Sequence, residues 1–389
     1  MRKPRLFILI PLISFGTIGG VFFTPALPKI AEFFQISANQ AQLTVTLYLI
    51  TYALGQLPYG PISNRIGRKP TIGLGTTIAA LGALFSALSL PFHSFGFLLF
   101  ARMLHGLGAA VGLKMAFTIV ADYYPPIKAT RINSFMIAAF AIVPGIGALL
   151  GGYLTEMFAW STPFYFLTAY SILLYLGSLL LPETLLEKQH DALHLKQIVH
   201  SYLLKLKNRS LILSGTIIGL MTVFTYVFAS KAPFFAINIL DLSPDEYGLV
   251  YLLSFSGMFL GSIFSAIISP KLQPKMAILR GLYVILLGSL SMFIFYINDI
   301  FNIYTLIIPY SLMVFGVPIT YANCTTLVLS GVKNKSNAAA LMSFLNIGIA
   351  FAGTQINGLI NSPRPLTMAI TFLTISLILF PLFLKLNKD

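Results

Sequence analysis

Some residues of this 389-residue chain are chemically out of place. Cations stand inside long apolar runs: Arg102, with His105 one helical turn further on, then Lys114, and later Lys231. A central lysine costs about 3 kcal/mol on insertion scales, so such a residue marks a substrate or ion path by default. Arg102 and Lys114 offer N–H donors and positive charge to an anion, and His105 has the side chain that ordinarily titrates near neutral pH. A second feature is the stretch "GPISNRIGRKP", residues 60–70, where Arg65, Arg68 and Lys69 cluster between Gly60 and Gly67, next to an uncharged Asn64. The 11 carboxylates avoid the apolar runs: Glu32, Asp122, Glu156, Glu183, Asp245 and the rest fall in gaps or at run ends. Without a carboxylate pair inside the runs, Mg²⁺–diphosphate chemistry is not expected. There is no His/Glu zinc pattern either, so no catalytic residue, metal or cofactor is expected, and the chain does not read as an enzyme.

The elements that must position these residues follow from composition. Hydrophobic residues make up 57% of the chain and charged ones 9%, against about 25% charged in a soluble domain. Mean hydropathy is +0.85. Apolar runs of about 20 residues recur along the whole length, which reads as membrane-spanning helix. Twelve spans are expected, at 6–28, 41–62, 71–90, 95–121, 131–154, 163–182, 210–236, 246–268, 276–297, 302–328, 337–360 and 365–385. The net charge of +14 does not indicate nucleic acid, because the cations sit in short gaps and form no basic domain. The single cysteine, Cys324, excludes an intrachain disulfide. The basic-then-apolar start has no small-residue cleavage pattern and reads as an uncleaved first span.

Most of the cations fall in alternate gaps, on the side shared by both chain ends, while Lys29 and Arg364 fall on the other. The positive-inside rule then puts both termini in the cytoplasm. The gap 183–209 divides the spans six and six. The expected domains are an N-terminal half 1–182, a cytoplasmic linker 183–209, and a C-terminal half 210–389. Leu193, Ile198, Leu203 and Leu204 in the linker suit a surface helix or a plain connector equally. "LYLITYALGQLPYG" in the second span and "VYLLSFSGMFLGS" in the eighth echo each other, as a pseudo-symmetric duplication would.

"GPISNRIGRKP", between the second and third spans, resembles the G-x-L-x-D-R-x-G-R-K signature of the major facilitator superfamily. "PALPKIAEFF", "RMLHGLGAA", "VPGIGALLGG", "LLPET" and "LSPDEYGLVYLLSFSGMFLGS" are similar to the Bcr/CflA-type branch of drug:proton antiporters. The resemblance implies an all-α integral membrane protein with twelve helices in two six-helix halves. It also implies alternating access, small-molecule substrates and protons as partners. By the same resemblance Gly60, Asn64, Arg65, Gly67, Arg68 and Lys69, with Asp122, form a conformational latch, expected to pair across the interface of the halves. Pro144, Gly147, Gly151 and Gly152 belong to the close-packing glycine motif of the fifth span, with Gly145. The departures are specific: Asn64 replaces the motif's Asp, Val21 stands where an acid is common before "PALP", no Arg appears near Phe117, Ala148 replaces a proline, and His105 replaces Gln.

Function is therefore expected to be efflux of drug-like compounds or metabolites from a bacterial cytoplasmic (inner) membrane. The cationic cavity residues are Arg102, His105, Lys114 and Lys231, with Asn323 and Gln355 as polar lining, and this set favours anionic or neutral substrates. The alternative is an organic-anion or siderophore transporter, exporting or importing, with non-standard or no proton coupling. A monomer embedded in the lipid bilayer is expected, with no nucleic-acid partner.

Overall fold

In the computed structural model, described for residues 4–185, 187–188, 208–268, 272–330, 335–360 and 364–388, the chain is helical, and no strand occurs among the described residues. The helices are α1 Leu6–Val21, α2 Leu27–Phe34, α3 Ala38–Ala41, α4 Leu43–Gln56, α5 Tyr59–Ile66, α6 Arg68–Leu88, α7 Phe95–Ala109, α8 Val111–Tyr123, α9 Pro126–Met157 and α10 Thr162–Leu179. They continue as α11 Arg209–Asn238, α12 Pro244–Ile268, α13 Pro274–Ile297, α14 Ile303–Ser330, α15 Lys335–Leu359 and α16 Leu366–Lys388. Nine helical segments among the described residues are long and apolar enough to cross a bilayer. Large apolar side chains point outward on several of them, including Phe100, Leu173, Leu287, Ile308 and Leu377. A soluble fold would cover them, whereas lipid leaves them at no cost.

The expected second span, 41–62, is not one helix. It breaks at Leu57–Pro58 into α4 and α5. Pro58 and Pro61 each lack the N–H that would continue the ladder, and the last turn tightens so that the Leu57 N–H reaches Leu54 O at 3.3 Å. The expected fourth span, 95–121, holds as one continuous candidate span, Phe95–Tyr123, made of α7 and α8 joined at Ala110. The first expected span runs on past residue 28 through a short 3₁₀ turn, Thr24–Ala26, into α2, ending at Phe34. The linker stretch 193–204, read as either a surface helix or a plain connector, lies outside the described residues.

Neighbouring helices pack as α6 on α7 and α10, α4 on α7, α11 on α15, and α13 and α12 on α14. Two extensive contacts join early to late helices, α9 to α12 and α4 to α15. Small residues permit the first. A Cβ at Gly152 would strike the carbonyl of Pro244, and one at Gly145 would stand 2.8 Å from Leu252. From the other side, a Cβ on Gly248 of α12 would stand 2.8 Å from the Cα of Leu149.

Candidate functional site

The 60–70 turn is held from several directions. Gly67 has φ +108°, a left-handed conformation that glycine adopts without strain. It reverses the chain between α5 and α6 and points Arg68 back toward α8. Arg68 is 8% exposed. Its Nε donates to Asp122 Oδ2 at 3.0 Å, and a terminal nitrogen donates to Ser63 Oγ at 3.1 Å and Asn64 Oδ1 at 2.6 Å. Thr184 Oγ1 donates to the same Asp122 oxygen at 2.9 Å. The expected latch across the early and late helices is corrected here. The described bonds of Arg68 and Lys69 all run to α5, α8 and the segment around Leu179–Glu183. Asn64 is the uncharged acceptor in this cluster because the carboxylates come from elsewhere, Asp122 on α8 and Glu183 after α10. Arg65 is exposed.

Glu183 was not singled out from sequence, although its motif "LLPET" was. Its carboxylate accepts the backbone N–H groups of Arg68 at 2.9 Å and Lys69 at 3.1 Å. These are orphan donors of the first turn of α6, and Gly67 before them has no side chain to cap them. A carboxylate from a distant segment thus takes the N-cap role. Lys69 completes the exchange by donating its ammonium to Leu179 O at 2.7 Å, at the C-terminal end of α10, where a cation is favoured.

Arg102 and His105 form a closed cluster with no exposed surface. Arg102 donates to Thr44 O at 3.1 Å, to Gly19 O at 2.8 Å and to His105 Nδ1 at 2.8 Å. Its guanidinium carbon lies 4.2 Å from the Phe23 ring centroid and 4.4 Å from that of Tyr48. A guanidinium only donates, so His105 Nδ1 is an acceptor and the ring proton sits on Nε2. These residues tie α1, α4 and α7 together and present no face to a cavity, unlike the cavity role expected from sequence.

Lys114 is placed differently. It is half-buried on α8, and its ammonium donates to the carbonyl of Gln56 at 3.2 Å, the last residue of α4 before the break. A Cβ at Gly60 would stand 2.5 Å from that nitrogen, so the glycine makes room for it. Lys231, 3% exposed, donates to Ile360 O at 3.3 Å. It lines a cleft of about 160 Å³ with Ala38, Gln42, Phe234 and Asn238. Asn323 is buried on α14 with its amide on Ile319 O at 2.8 Å, and Gln355 is half-buried on α15. Sequence-nominated cations therefore separate into a sealed pair, a cleft residue at Lys231, and Lys114 at the helix break.

The glycine motif of α9 also resolves residue by residue. A Cβ at Gly151 would strike the carbonyl of Phe22, and one at Gly152 that of Pro244, whereas one at Gly147 would meet the Phe22 ring at an ordinary 3.5 Å. Close packing expected at Gly147 thus belongs to its neighbours. Pro144 is buried within α9.

The family model of the Major Facilitator Superfamily matches residues 9–354. The chain belongs to the Major Facilitator Superfamily. Among relatives of this facilitator, Multidrug resistance protein D of Escherichia coli (strain K12) is 26% identical over 84% of this chain and 82% of its own. A bicyclomycin resistance protein homolog of Haemophilus influenzae is 25% identical, over 69% of each. These matches agree with the Bcr/CflA-type branch named by the sequence motifs. The inward open xylose transporter XylE from E. coli shares the fold, with a TM-score of 0.73 at 14% identity, covering 97% of this chain and 96% of that one. The facilitator is accordingly a multi-pass membrane transporter of helical architecture, whose family carries small-molecule substrates.

Proposed function

We propose that the facilitator is a secondary active exporter of anionic or neutral drug-like compounds or metabolites, working by alternating access with Lys114 as the charged contact to substrate. The observation that carries this reading is a pairing of presence and absence. Lys114 is a half-buried cation with a carbonyl for partner, while every carboxylate among the described residues lies at a helix end or in a connection. A lipophilic cation moved through such a site would lose hydration with no carboxylate to offset it, whereas a carboxylate would gain a partner. Export is supported by the names of the relatives, which concern multidrug and bicyclomycin resistance.

In this reading the chain has twelve spans in two halves, 1–182 and 210–389, joined by the linker 183–209. It sits in the bacterial cytoplasmic membrane with both termini inside. The cluster of Asn64, Arg68, Asp122 and Glu183 then stiffens the cytoplasmic end of the first half, and the contact of Gly145 and Gly152 with α12 closes the outer end. Asn323 and Gln355 serve as polar lining, and protons are the coupling ion. The test is flux into proteoliposomes of labelled salicylate and of tetraphenylphosphonium, with and without an imposed pH gradient. Salicylate flux that Lys114→Ala abolishes and Lys114→Arg partly keeps supports the proposal. Flux of the cation, indifferent to Lys114, refutes the anionic reading.

A further inference from the structure

α5 is a strut of eight residues with one fastening at its far end and another just before its start, at the end of α4, and both lead to α8. At its far end Ser63 and Asn64 hold Arg68, which holds Asp122 of α8. At its near end the chain has just broken at Leu57–Pro58, and Lys114 of α8 reaches across to the Gln56 carbonyl. Tyr59 adds a bond to the Leu107 carbonyl of α7 at 3.1 Å. The two fastenings differ in kind. The far one is an ion pair supported by several neutral acceptors. The near one is a full charge set against one carbonyl dipole, and an ammonium has three donors. Beside it, the Gln56 side-chain Nε2 is buried and has no hydrogen-bond partner. Two nitrogen donors short of acceptors are therefore associated with one residue, and the ammonium sits in the room that Gly60 leaves for it. A carboxylate supplies two acceptor oxygens and a full negative charge, and on both counts it is a stronger partner for Lys114 than the Gln56 carbonyl.

We propose that Lys114 is a ligand-sensitive clasp: its ammonium ties the end of α4, at the break that leads into α5, to α8, and a carboxylate-bearing ligand that takes the ammonium undoes the tie. Substrate contact is thereby transmitted to the strut that carries the 60–70 turn. This rests on the reading of Lys114 as the substrate's charged contact, but its first arm stands without any substrate.

The measurement is amide hydrogen exchange over Tyr59–Ile66 in the full-length protein in lipid nanodiscs, with Pro274–Ile297 as internal control. Lys114→Met keeps the length of the side chain and removes the donors. Exchange in α5 should rise about tenfold, the worth of one charge-assisted hydrogen bond, while the control helix is unmoved and Lys114→Arg stays near wild type. Unchanged exchange in Lys114→Met refutes the clasp, whatever the protein transports. In the second arm, salicylate added to wild type should speed α5 exchange toward the Lys114→Met level, salicylamide should not, and salicylate should add nothing in Lys114→Met. Salicylate without effect up to its solubility, or with an equal effect in both proteins, refutes the switch. Failure of the anionic-substrate reading is scored separately, by flux in proteoliposomes.

Discussion

Glu183→Ala removes a helix cap that comes from outside the helix. The carboxylate accepts from the Arg68 N–H at 2.9 Å, the Lys69 N–H at 3.1 Å and the Leu185 N–H at 2.9 Å. It therefore does two things at once: it satisfies the first turn of α6 and pins the end of α10 against it. Loss of a capping side chain costs about 0.5–2 kcal/mol, and loss of a negative charge at a helix N-terminus adds about 0.3–1 kcal/mol. Glu183 is exposed, so water screens the charge and takes over some of the freed donors. The net effect is then about 1–2 kcal/mol, a roughly 5- to 30-fold rise in the local opening equilibrium. Glu183→Gln keeps one acceptor oxygen and loses the charge, so about half of that effect is expected. Hydrogen exchange over residues 68–76 reads the opening, and exchange in α13 reports any global change. The order wild type, Gln, Ala is expected from slowest to fastest exchange. If the alanine variant exchanges like wild type, the first turn of α6 is held by something other than this carboxylate, and the reasoning fails.

Asn64→Asp replaces a neutral acceptor 2.6 Å from Arg68 with a charged one, strengthening that bond by about 1 kcal/mol; hydrogen exchange over Tyr59–Ile66 should slow, and unchanged exchange counts against a role for Asn64 in holding Arg68. Gly152→Leu should stop transport with insertion intact, because the Pro244 carbonyl occupies the space of its Cβ, while Gly147→Ala should be tolerated; flux at the wild-type rate in Gly152→Leu would show that α9 and α12 need no close approach there. His105→Gln should retain most of the thermal stability, since an amide oxygen accepts from Arg102 as the imidazole does, whereas His105→Leu leaves a buried guanidinium donor unpaired at about 1–3 kcal/mol. Equal melting temperatures for the two variants would contradict the bonding pattern around Arg102.

The helical architecture was legible because long apolar runs in lipid must satisfy their own backbone hydrogen bonds. The basic turn was legible as a motif, but its partners were not. Arg68 finds Asp122 54 positions away and Glu183 115 positions away, and spacing along one chain does not encode such distances. "LLPET" was visible as a signature, yet nothing in it says that its glutamate caps another helix. The break at Leu57–Pro58 had a local signal, two prolines three residues apart, that the apolar run around them concealed. The tight glycines of α9 were visible as a group, and only the neighbour's backbone distinguishes Gly152 from Gly147.

Arg102 and Lys114 show why an intramembrane cation has two different readings. Both stand on one line of helix, α7 continued by α8, twelve residues apart. Arg102 is surrounded by acceptors and aromatic faces: two backbone carbonyls, an imidazole nitrogen and the rings of Phe23 and Tyr48. Its rigid fork matches what surrounds it, and two of its bonds reach other helices, α4 and α1, so its displacement would loosen several contacts at once. It has little capacity left for a ligand. Lys114 has a flexible stem and a described bond to one carbonyl at a helix break, and its ammonium itself fills the space over Gly60. A cation whose donors are met locally holds the bundle together; one whose donors are not met is the residue on which a passing carboxylate can act. On that argument the proposed substrate contact is to be tested at Lys114 and the α4–α5 break, and substitutions in the Arg102 cluster are expected to act through stability instead.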